Sequence, residues 1–296
     1  MEIRVLRYFI TIMQVGNITQ AARQLHISQP ALSRQIMDLE EEIGNPLFIR
    51  GHRQLHPTQA AYYLYQQAEE IIGLTDKTLG RLKSHDVVSG RLDIGSGESE
   101  AVAPVMAAVG EIVQEYPAVQ VKLHSGDADS MFTRLDTGLL EFGIIMGHYN
   151  LRKYNTLSLP GKNRWGVIMR ATDPLAQKKA IQPQDLVDRL LLTSVQTREQ
   201  DAFRSWAGEM LNQFRFVGSY NLIYNAYLLV KNSSCVAFTY DHLLNTTAVD
   251  GLTYRPLAGM QPDENTLIWR KNQPLPNVGN LFLDKLQKQL QKENKQ

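Results

Sequence analysis

Gln29, Ser33 and Arg34 are the side chains of this sequence whose types and spacing best suit chemistry, and that chemistry is recognition rather than catalysis. An amide and a guanidinium can each make paired hydrogen bonds to a base edge, and a hydroxyl can reach either a base or a phosphate. Their geometry can be tested on a helical wheel. At about 100° per residue, with Gln29 at zero, Gln29, Pro30, Ser33, Arg34 and Met37 spread over about 0° to 140°. Leu32, Ile36, Leu39 and Ile43 fall between about 280° and 340°. One arc can pack while the other stays outward. The acids of the segment, Asp38, Glu40, Glu41 and Glu42, gather at its far end, so its N-terminal half is the half suited to DNA.

The neighbouring elements must hold that edge in place. Leu6, Phe9, Ile10 and Met13 recur at the spacing of one helix face, and Gly16-Asn17 stops that helix. Thr19 is then placed to cap a short second helix with Ala21, Ala22 and Leu25 on its apolar side. His26-Ile27 forms a tight turn, Ser28 is a suitable N-cap for the third helix, and Pro30 sits where a missing N–H costs little. This is a helix-turn-helix plan. Gly44-Asn45-Pro46 ends the third helix. Leu47–Arg50 and Gln54–His56 then read as two short strands around Gly51-His52, a wing carrying Arg50 and Arg53. Wing arginines touching phosphate would steepen salt dependence without selecting sequence. The zone holds six bases (Arg4, Arg7, Arg23, Arg34, Arg50, Arg53) against five acids (Glu2, Asp38, Glu40, Glu41, Glu42). One copy would bind weakly, so a homodimer is expected.

The remaining composition narrows the function classes. The chain has 296 residues, 43% hydrophobic and 21% charged, which suits packed domains rather than disorder. Lys and Arg number 31 against 30 Asp and Glu, a net charge of +1, so nucleic-acid binding must rest on a local patch. Cys235 stands alone, excluding an intramolecular disulfide and a multi-thiolate metal site, and fits a reducing cytosol. No run approaches the roughly 18 apolar residues of a membrane helix. Glu2, Arg4 and Arg7 interrupt the first apolar stretch, against a signal peptide. A soluble, cytoplasmic protein without a membrane partner is expected.

From Thr58 to about Leu82 the pattern fits one long helix capped by Thr58. Tyr65, Ala68, Ile72, Thr75, Leu79 and Leu82 alternate by three and four, as in a dimerising seam. Ser84-His85-Asp86 and Ser89-Gly90 form a hinge. Beyond it, strands and helices alternate: strands at Leu92–Gly95, Val119–Leu123, Phe142–Met146, Trp165–Met169, Leu190–Leu192, Val236–Phe238 and Leu267–Trp269. Helices are expected at about Ala101–Tyr116, Met131–Leu140, from Gln184, and at Ala202–Met210, Leu222–Val230 and Val278–Leu290. The βαβαβ order implies parallel sheets in two α/β lobes with a cleft between them. The division is 1–58 for the winged helix-turn-helix, 59–86 for linker helix and hinge, and 87–296 for the third zone. Lobe I spans about 91–160 and 268–296, and lobe II about 161–267.

Ligands in such sheets gather beyond the carboxyl ends of strands. Ser96, Gly97 and Ser99 follow the first strand, Ser125 the second and His148 the third, with Thr193, Ser194 and Gln196 facing them from the other lobe. These are the candidate ligand contacts; each alone is equally an ordinary cap or turn residue. Gly95-Ser96-Gly97 lacks the third glycine of a nucleotide loop. The histidines at 26, 52, 56, 85, 124, 148 and 242 show no HxH or HExxH spacing, so no metal or other cofactor is expected. Ser96, His148 and Asp127 could be assembled into a triad, but no Gly-x-Ser-x-Gly elbow frames a serine, and no enzyme is expected.

The order of these parts resembles the LysR-type transcriptional regulators. The resemblance is densest in Thr19-Gln20-Ala21-Ala22 to Leu25, Ser28-Gln29-Pro30-Ala31-Leu32-Ser33-Arg34-Gln35-Ile36, Leu39-Glu40 and Gly44-x-x-Leu47-Phe48-x-Arg50. Fainter echoes continue at Tyr116-Pro117, Gly138-x-Leu140-Glu141 and Asp173-Pro174-Leu175-Ala176. The resemblance implies an α/β protein with an N-terminal winged helix-turn-helix, a long linker helix and a C-terminal bilobed, periplasmic-binding-protein-like effector domain. It further implies an allosteric regulator of transcription that binds double-stranded DNA and a small-molecule effector, assembles as a homodimer and homotetramer, and has RNA polymerase as a further partner. In the family, positions matching Gln29, Pro30, Ser33 and Arg34 face the major groove. The one matching Arg53 sits beside the minor groove and the one matching Thr19 touches phosphate, with Ser28 and Arg50 alongside as candidate contacts. A cytosolic solute-binding module without DNA binding, and an enzyme built on the bilobed fold, are the alternatives. Three segments depart from the family pattern: Ser96-Gly97-Glu98-Ser99-Glu100, Asn232-Ser233-Ser234-Cys235, and Glu141 where Asp is common. Glu98, turned into the cleft, would repel a simple carboxylate and favour a cationic, zwitterionic or neutral effector.

Overall fold

The computed structural model describes residues 1–50, 55–83, 89–195, 201–244, 251–271 and 273–293. The chain divides into two compact units, Met1–Asp86 and Val87–Gln296. In the first, α1 (Ile3–Val15), α2 (Ile18–Gln24) and α3 (Gln29–Ile43) precede an antiparallel pair, β1 (Phe48–Arg50) and β2 (Leu55–Pro57), and then α4 (Gln59–Lys83). Val5, Leu6, Phe9 and Ile12 of α1 pack with Leu32, Ile36 and Leu39 of α3 and with Phe48, whose ring centroid lies 5.7 Å from that of Phe9. The buried face of α1 is therefore rotated from the expected one, with Ile10 and Met13 only half-buried. Gly44, at φ +74°, takes the left-handed turn that ends α3, a conformation that strains any residue with a Cβ.

Two expectations for this unit are corrected. Asn17, not Thr19, caps α2: its side chain accepts from the Gln20 N–H, and Thr19 lies one residue inside the helix. Thr58 does cap α4, accepting from the Ala61 N–H at 3.2 Å. However, the first half of the expected seam on α4 is occupied within the chain, while Leu79 farther along is exposed. Ala61, Ala68 and Ile72 are buried in the same core as Phe9, with Tyr65 packed at its margin. Ile71 and Leu74, on another side of α4, are exposed. The helix taken as a separate linker thus belongs to the helix-turn-helix core along its first half.

The second unit holds two five-stranded sheets with strand orders β4-β3-β5-β12-β6 and β11-β7-β10-β8-β9. In the first sheet β3 (Gly90–Ser96) is parallel to both β4 (Val119–Ser125) and β5 (Phe142–Met146). There β12 (Asp263–Arg270) runs antiparallel between β5 and β6 (Tyr154–Asn163). In the second, β8 (Leu190–Ser194) is parallel to β9 (Arg215–Tyr220) and β10 (Val236–Tyr240), while β7 (Trp165–Arg170) is antiparallel to β10 and to β11 (Leu252–Pro256). Both sheets are therefore mixed, each a parallel trio extended by antiparallel strands. Helices α5 (Ala103–Glu115), α6 (Ala128–Asp136) and α9 (Asn277–Glu293) belong to lobe I; α7 (Asp201–Ala207) and α8 (Ile223–Lys231) belong to lobe II. In lobe I, Phe142 and Phe282 meet fully buried with their rings tilted by 59° and centroids 4.8 Å apart, each stabilising by about 1.5–3 kcal/mol.

The lobe boundaries move. The chain crosses from lobe I to lobe II at Arg164, after β6, and returns before β12, so all of Asp263–Arg270 belongs to lobe I. The helix expected from Gln184 is only a 3-10 turn, Pro183–Leu186, and the helix at 202–210 ends at Ala207, where Gly208 adopts φ +54°.

Candidate functional site

The polar edge read from the wheel is the outward edge of α3. Gln29, Pro30 and Arg34 are exposed and Ser33 is half-buried, while Leu32, Ile36 and Leu39 are buried. Ser28 accepts from the Ala31 N–H at 3.4 Å, so the helix begins where the sequence places it. The Gln29 amide donates to the Ser33 hydroxyl at 2.8 Å, which orients both groups one turn apart on the same face. The tight turn before the helix is real, with His26 at φ +54°. Thr19 is exposed on α2, freed from the capping role by Asn17. Arg50 ends β1 opposite Leu55, and Arg53 lies outside the described residues.

Glu40 has a different role from the other acids of α3. Its Oε1 accepts from the N–H groups of Leu47 and Phe48 at 2.7 and 3.0 Å, tying the end of the third helix to the start of the wing. Spacing could not separate it from Glu41 and Glu42, because the partners are backbone groups beyond a turn.

A cavity of about 110 Å³ lies between the lobes, lined by residues of both. Gly97, Glu98, Asp127 and Met146 contribute from lobe I, and Trp165, Ser194, Tyr220, Thr239 and Tyr240 from lobe II. Glu98 bridges them: its Oε2 accepts from the Ile223 N–H at 2.9 Å, at the first residue of α8. A carboxylate is favoured at that helix end by the exposed N–H groups and the dipole. Asp263, on the returning strand β12, accepts from the Trp165 indole N–H at 2.8 Å and the Tyr240 hydroxyl at 2.6 Å through the same oxygen. This fixes the two rings at a centroid separation of 4.3 Å. Burial raises the Tyr240 phenol well above its ordinary value, with the Asp263 charge adding to it. Tyr220, whose hydroxyl donates to the Phe238 carbonyl, is raised by burial and then by Glu98. Both are neutral phenols at physiological pH. Thr239 lines the cavity, and its buried hydroxyl has no hydrogen-bond partner among the described residues.

Of the expected ligand contacts, Gly97 and Ser194 line this cavity. Ser96, Ser99 and Ser125 instead line a separate hollow beside β3 and β4. Ser96 donates to the Gly97 carbonyl, and Ser99 caps the 3-10 turn Glu100–Val102 while bonding Asn163, so both hydroxyls serve the backbone turn. Thr193 is buried outside the cavity lining because alternation along β8 turns it away from the face that Ser194 presents. His148 is exposed beyond the end of β5, and Gln196 lies outside the described residues. The aromatic and acidic lining went unseen, Glu98 excepted. Asp127 carried a signal, since Asp before Ala128 reads as an N-cap, and it does accept from the Ser130 N–H at 2.8 Å. Among the described residues no group of three His, Cys, Asp or Glu could hold a metal, and no helix is long and apolar enough to cross a membrane.

Two family models match: a bacterial regulatory helix-turn-helix protein of the lysR family over residues 3–62, and a LysR substrate binding domain over residues 85–291. The chain belongs to the LysR family. Among relatives of this LysR-family protein, the nitrogen assimilation regulatory protein nac of Escherichia coli (strain K12) is 34% identical over 152 residues, covering 50% of this chain and 49% of nac. The HTH-type transcriptional regulator BudR of Klebsiella aerogenes is 37% identical over 143 residues, 48% of this chain and 100% of BudR. The match thus spans about half the length of nac. Full-length CbnR, solved in complex with its target DNA, shares the fold with a TM-score of 0.69 at 18% identity, covering 98% of this chain and 100% of CbnR. Full-length BenM gives a TM-score of 0.53 at 20% identity, covering 99% and 98%.

Proposed function

We propose that this LysR-family protein is a sequence-specific DNA-binding regulator of transcription whose grip on DNA is set by a small effector in the cleft between its lobes. The observation that carries the reading is α3: a polar edge of Gln29, Ser33 and Arg34 held outward by a buried edge of Leu32, Ile36 and Leu39. That helix enters the major groove by its N-terminal half, with Ser28 and Pro30 at the entry point. Thr19, Arg50 and Arg53 take the phosphates, giving affinity and salt dependence rather than sequence. Relatives named as transcriptional regulators, and a CbnR structure carrying its target DNA, support the same assignment.

Two copies double the phosphate contacts, and pairs of pairs make the tetramer. The protein works in the cytoplasm, where RNA polymerase is the further partner, and no catalytic step is part of this reading. Gly97, Ser194 and their neighbours hold the effector. Glu98 is the natural transmitter, since it joins the cavity to the first N–H of α8, and α8 exposes Tyr224, Leu228 and Leu229 for a second copy. The effector acts only through its different affinities for two arrangements of the assembly.

The test is a gel-shift titration on DNA upstream of the chain's own gene. Arg34→Ala should lose about 1–3 kcal/mol of discrimination against competitor DNA, the worth of one bidentate base contact. Wild-type protein that binds every fragment alike, with Arg34→Ala no different, would overturn the reading.

A further inference from the structure

We propose that the cleft takes a small organic cation, a protonated amine, paired with Glu98 and Asp127 against the Trp165 and Tyr240 rings. The inference rests on the effector-controlled reading above and narrows it to a ligand class. The charged residues among the described lining are Glu98 and Asp127, both acids, with no Lys, Arg or His beside them. Each carboxylate accepts an N–H at a helix start, Glu98 from Ile223 and Asp127 from Ser130. No cationic side chain of the described lining offsets them, so a carboxylate ligand would meet two like charges.

Helix α8 strengthens the point. A helix N-terminus is the ordinary seat for an anionic ligand group. Here the Ile223 N–H is already bonded to Glu98 at 2.9 Å. An anion would have to displace that carboxylate and remain close to it. A cation does the reverse, adding a positive charge beside Glu98 without breaking its bond to α8, and so favours the closed lobes.

The wall opposite suits the same charge. Trp165 and Tyr240 lie 4.3 Å apart, and both donate to the Asp263 carboxylate, which enriches their electron density and their attraction for a cation. An ammonium also brings N–H donors that need acceptors. Thr239 offers one independently of the acids: the residue lines the cavity, is 3% exposed, and its hydroxyl is bonded by no protein group among the described residues. The cavity's volume of about 110 Å³ restricts the ligand to a short amine.

The test uses full-length protein and three probes with one carbon chain: n-butylammonium, butyrate and 1-butanol, each titrated calorimetrically at neutral pH to tens of millimolar. Saturable binding is expected for butylammonium alone. Glu98→Gln keeps an acceptor for the Ile223 N–H but removes the charge, and should weaken butylammonium about tenfold or more. Thr239→Val, which leaves the bond between Glu98 and the Ile223 N–H intact, should weaken it a few-fold. Tighter binding of butyrate, equal binding of butanol, no binding of any probe, or unchanged affinity in Glu98→Gln would each overturn the cation assignment. The same preparations are run in the gel-shift titration. Sequence-selective, Arg34-dependent DNA binding there leaves the regulator reading standing whichever probe fails, and indifference to Arg34 removes that reading separately.

Discussion

The two lobes of the second unit have similar sheets but treat their buried polar groups differently. Lobe I buries Asp93, Glu141, Asn163, Asp263 and Asn265, and each has at least one hydrogen-bond partner, although the Oδ1 of Asp93 accepts no hydrogen bond among the described residues and has His124 Nε2 at 3.9 Å. Glu141 accepts from the Asp93 N–H at 2.9 Å, Arg91 donates to Asp93 at 2.9 Å, and Asn163 donates to Asn265 at 2.7 Å. Lobe II buries only Thr193 and Thr239 among the described residues, and neither hydroxyl has a partner. A satisfied polar network fixes one arrangement of strands, because every alternative strands a donor or acceptor in low dielectric. An unsatisfied hydroxyl at a cavity wall does the opposite: it leaves binding capacity for something that arrives. Lobe I is built as the frame and lobe II as the receiving face.

The largest way to break this contrast is to cut the point where the frame reaches across. Asp263 belongs to lobe I but accepts from Trp165 and Tyr240 of lobe II. Asp263→Leu strands two buried donors at once and should destabilise the second unit by about 3–5 kcal/mol. Urea denaturation of the full chain, followed by hydrogen exchange in β7 and β10, reads both the size and the place of the loss. A change under about 1 kcal/mol would mean that water replaces the carboxylate easily, and that the frame does not extend across the cleft.

A smaller effect comes from pH. Tyr220 and Tyr240 in lobe II have raised phenol pKa values, burial being the first cause in both. In lobe I, Tyr154 is raised to about 12, by burial and then by its bond to Asp136. A phenol whose pKa is higher folded than unfolded contributes stability that is complete below the unfolded value of 10.0 and is lost as pH rises beyond it. Stability should therefore fall as pH climbs above 10, with β10 opening to exchange before β6 does. Tyr220→Phe should flatten the fall in part, since its phenol is one of those in lobe II that resist ionisation, with Tyr240 and Tyr254. A profile that stays level from pH 9 to pH 11, or that is unaltered in Tyr220→Phe, would contradict the assignment.

How far these regions could be read from sequence follows from the range of the interactions that build them. The α3 edge was legible because helical periodicity fixes it within fifteen residues, and the caps at Ser28 and Thr58 are equally local. Strands β3, β5 and β10 showed as apolar runs. Strands β6, β9 and β11 did not: β6 carries Pro160 and Gly161, β9 alternates at an exposed edge, and β11 is half-buried along most of its length. The cleft was read least well. The rule that ligands gather beyond strand ends pointed to Gly97 and Ser194, which line the cavity. It also favoured hydroxyls at Ser96, Ser99 and Ser125 that the local turn already uses. Trp165, Tyr220 and Tyr240 were not among the expected ligand contacts, because only the pairing of β7 with β10, across about seventy residues, puts two of them at one opening. Glu98 stood out as a departure from the family pattern, yet its partner Ile223 is 125 residues away.

The smallest expected effect is also the sharpest test of the contrast, because its sign is opposite to that of Asp263→Leu. Thr239→Val keeps the branched shape on β10 and removes a hydroxyl that no described group bonds. Where a buried polar group is already unsatisfied, replacing it with an apolar one removes a desolvation penalty rather than a bond. The substitution should leave the ligand-free protein unchanged or up to about 1 kcal/mol more stable. A gain in stability together with weaker butylammonium binding would mark Thr239 as a group held at a cost for a ligand, the trade expected where a site is kept incomplete. A loss of about 1 kcal/mol or more would instead show that the hydroxyl has a partner, such as an ordered water, and that lobe II is as self-contained as lobe I.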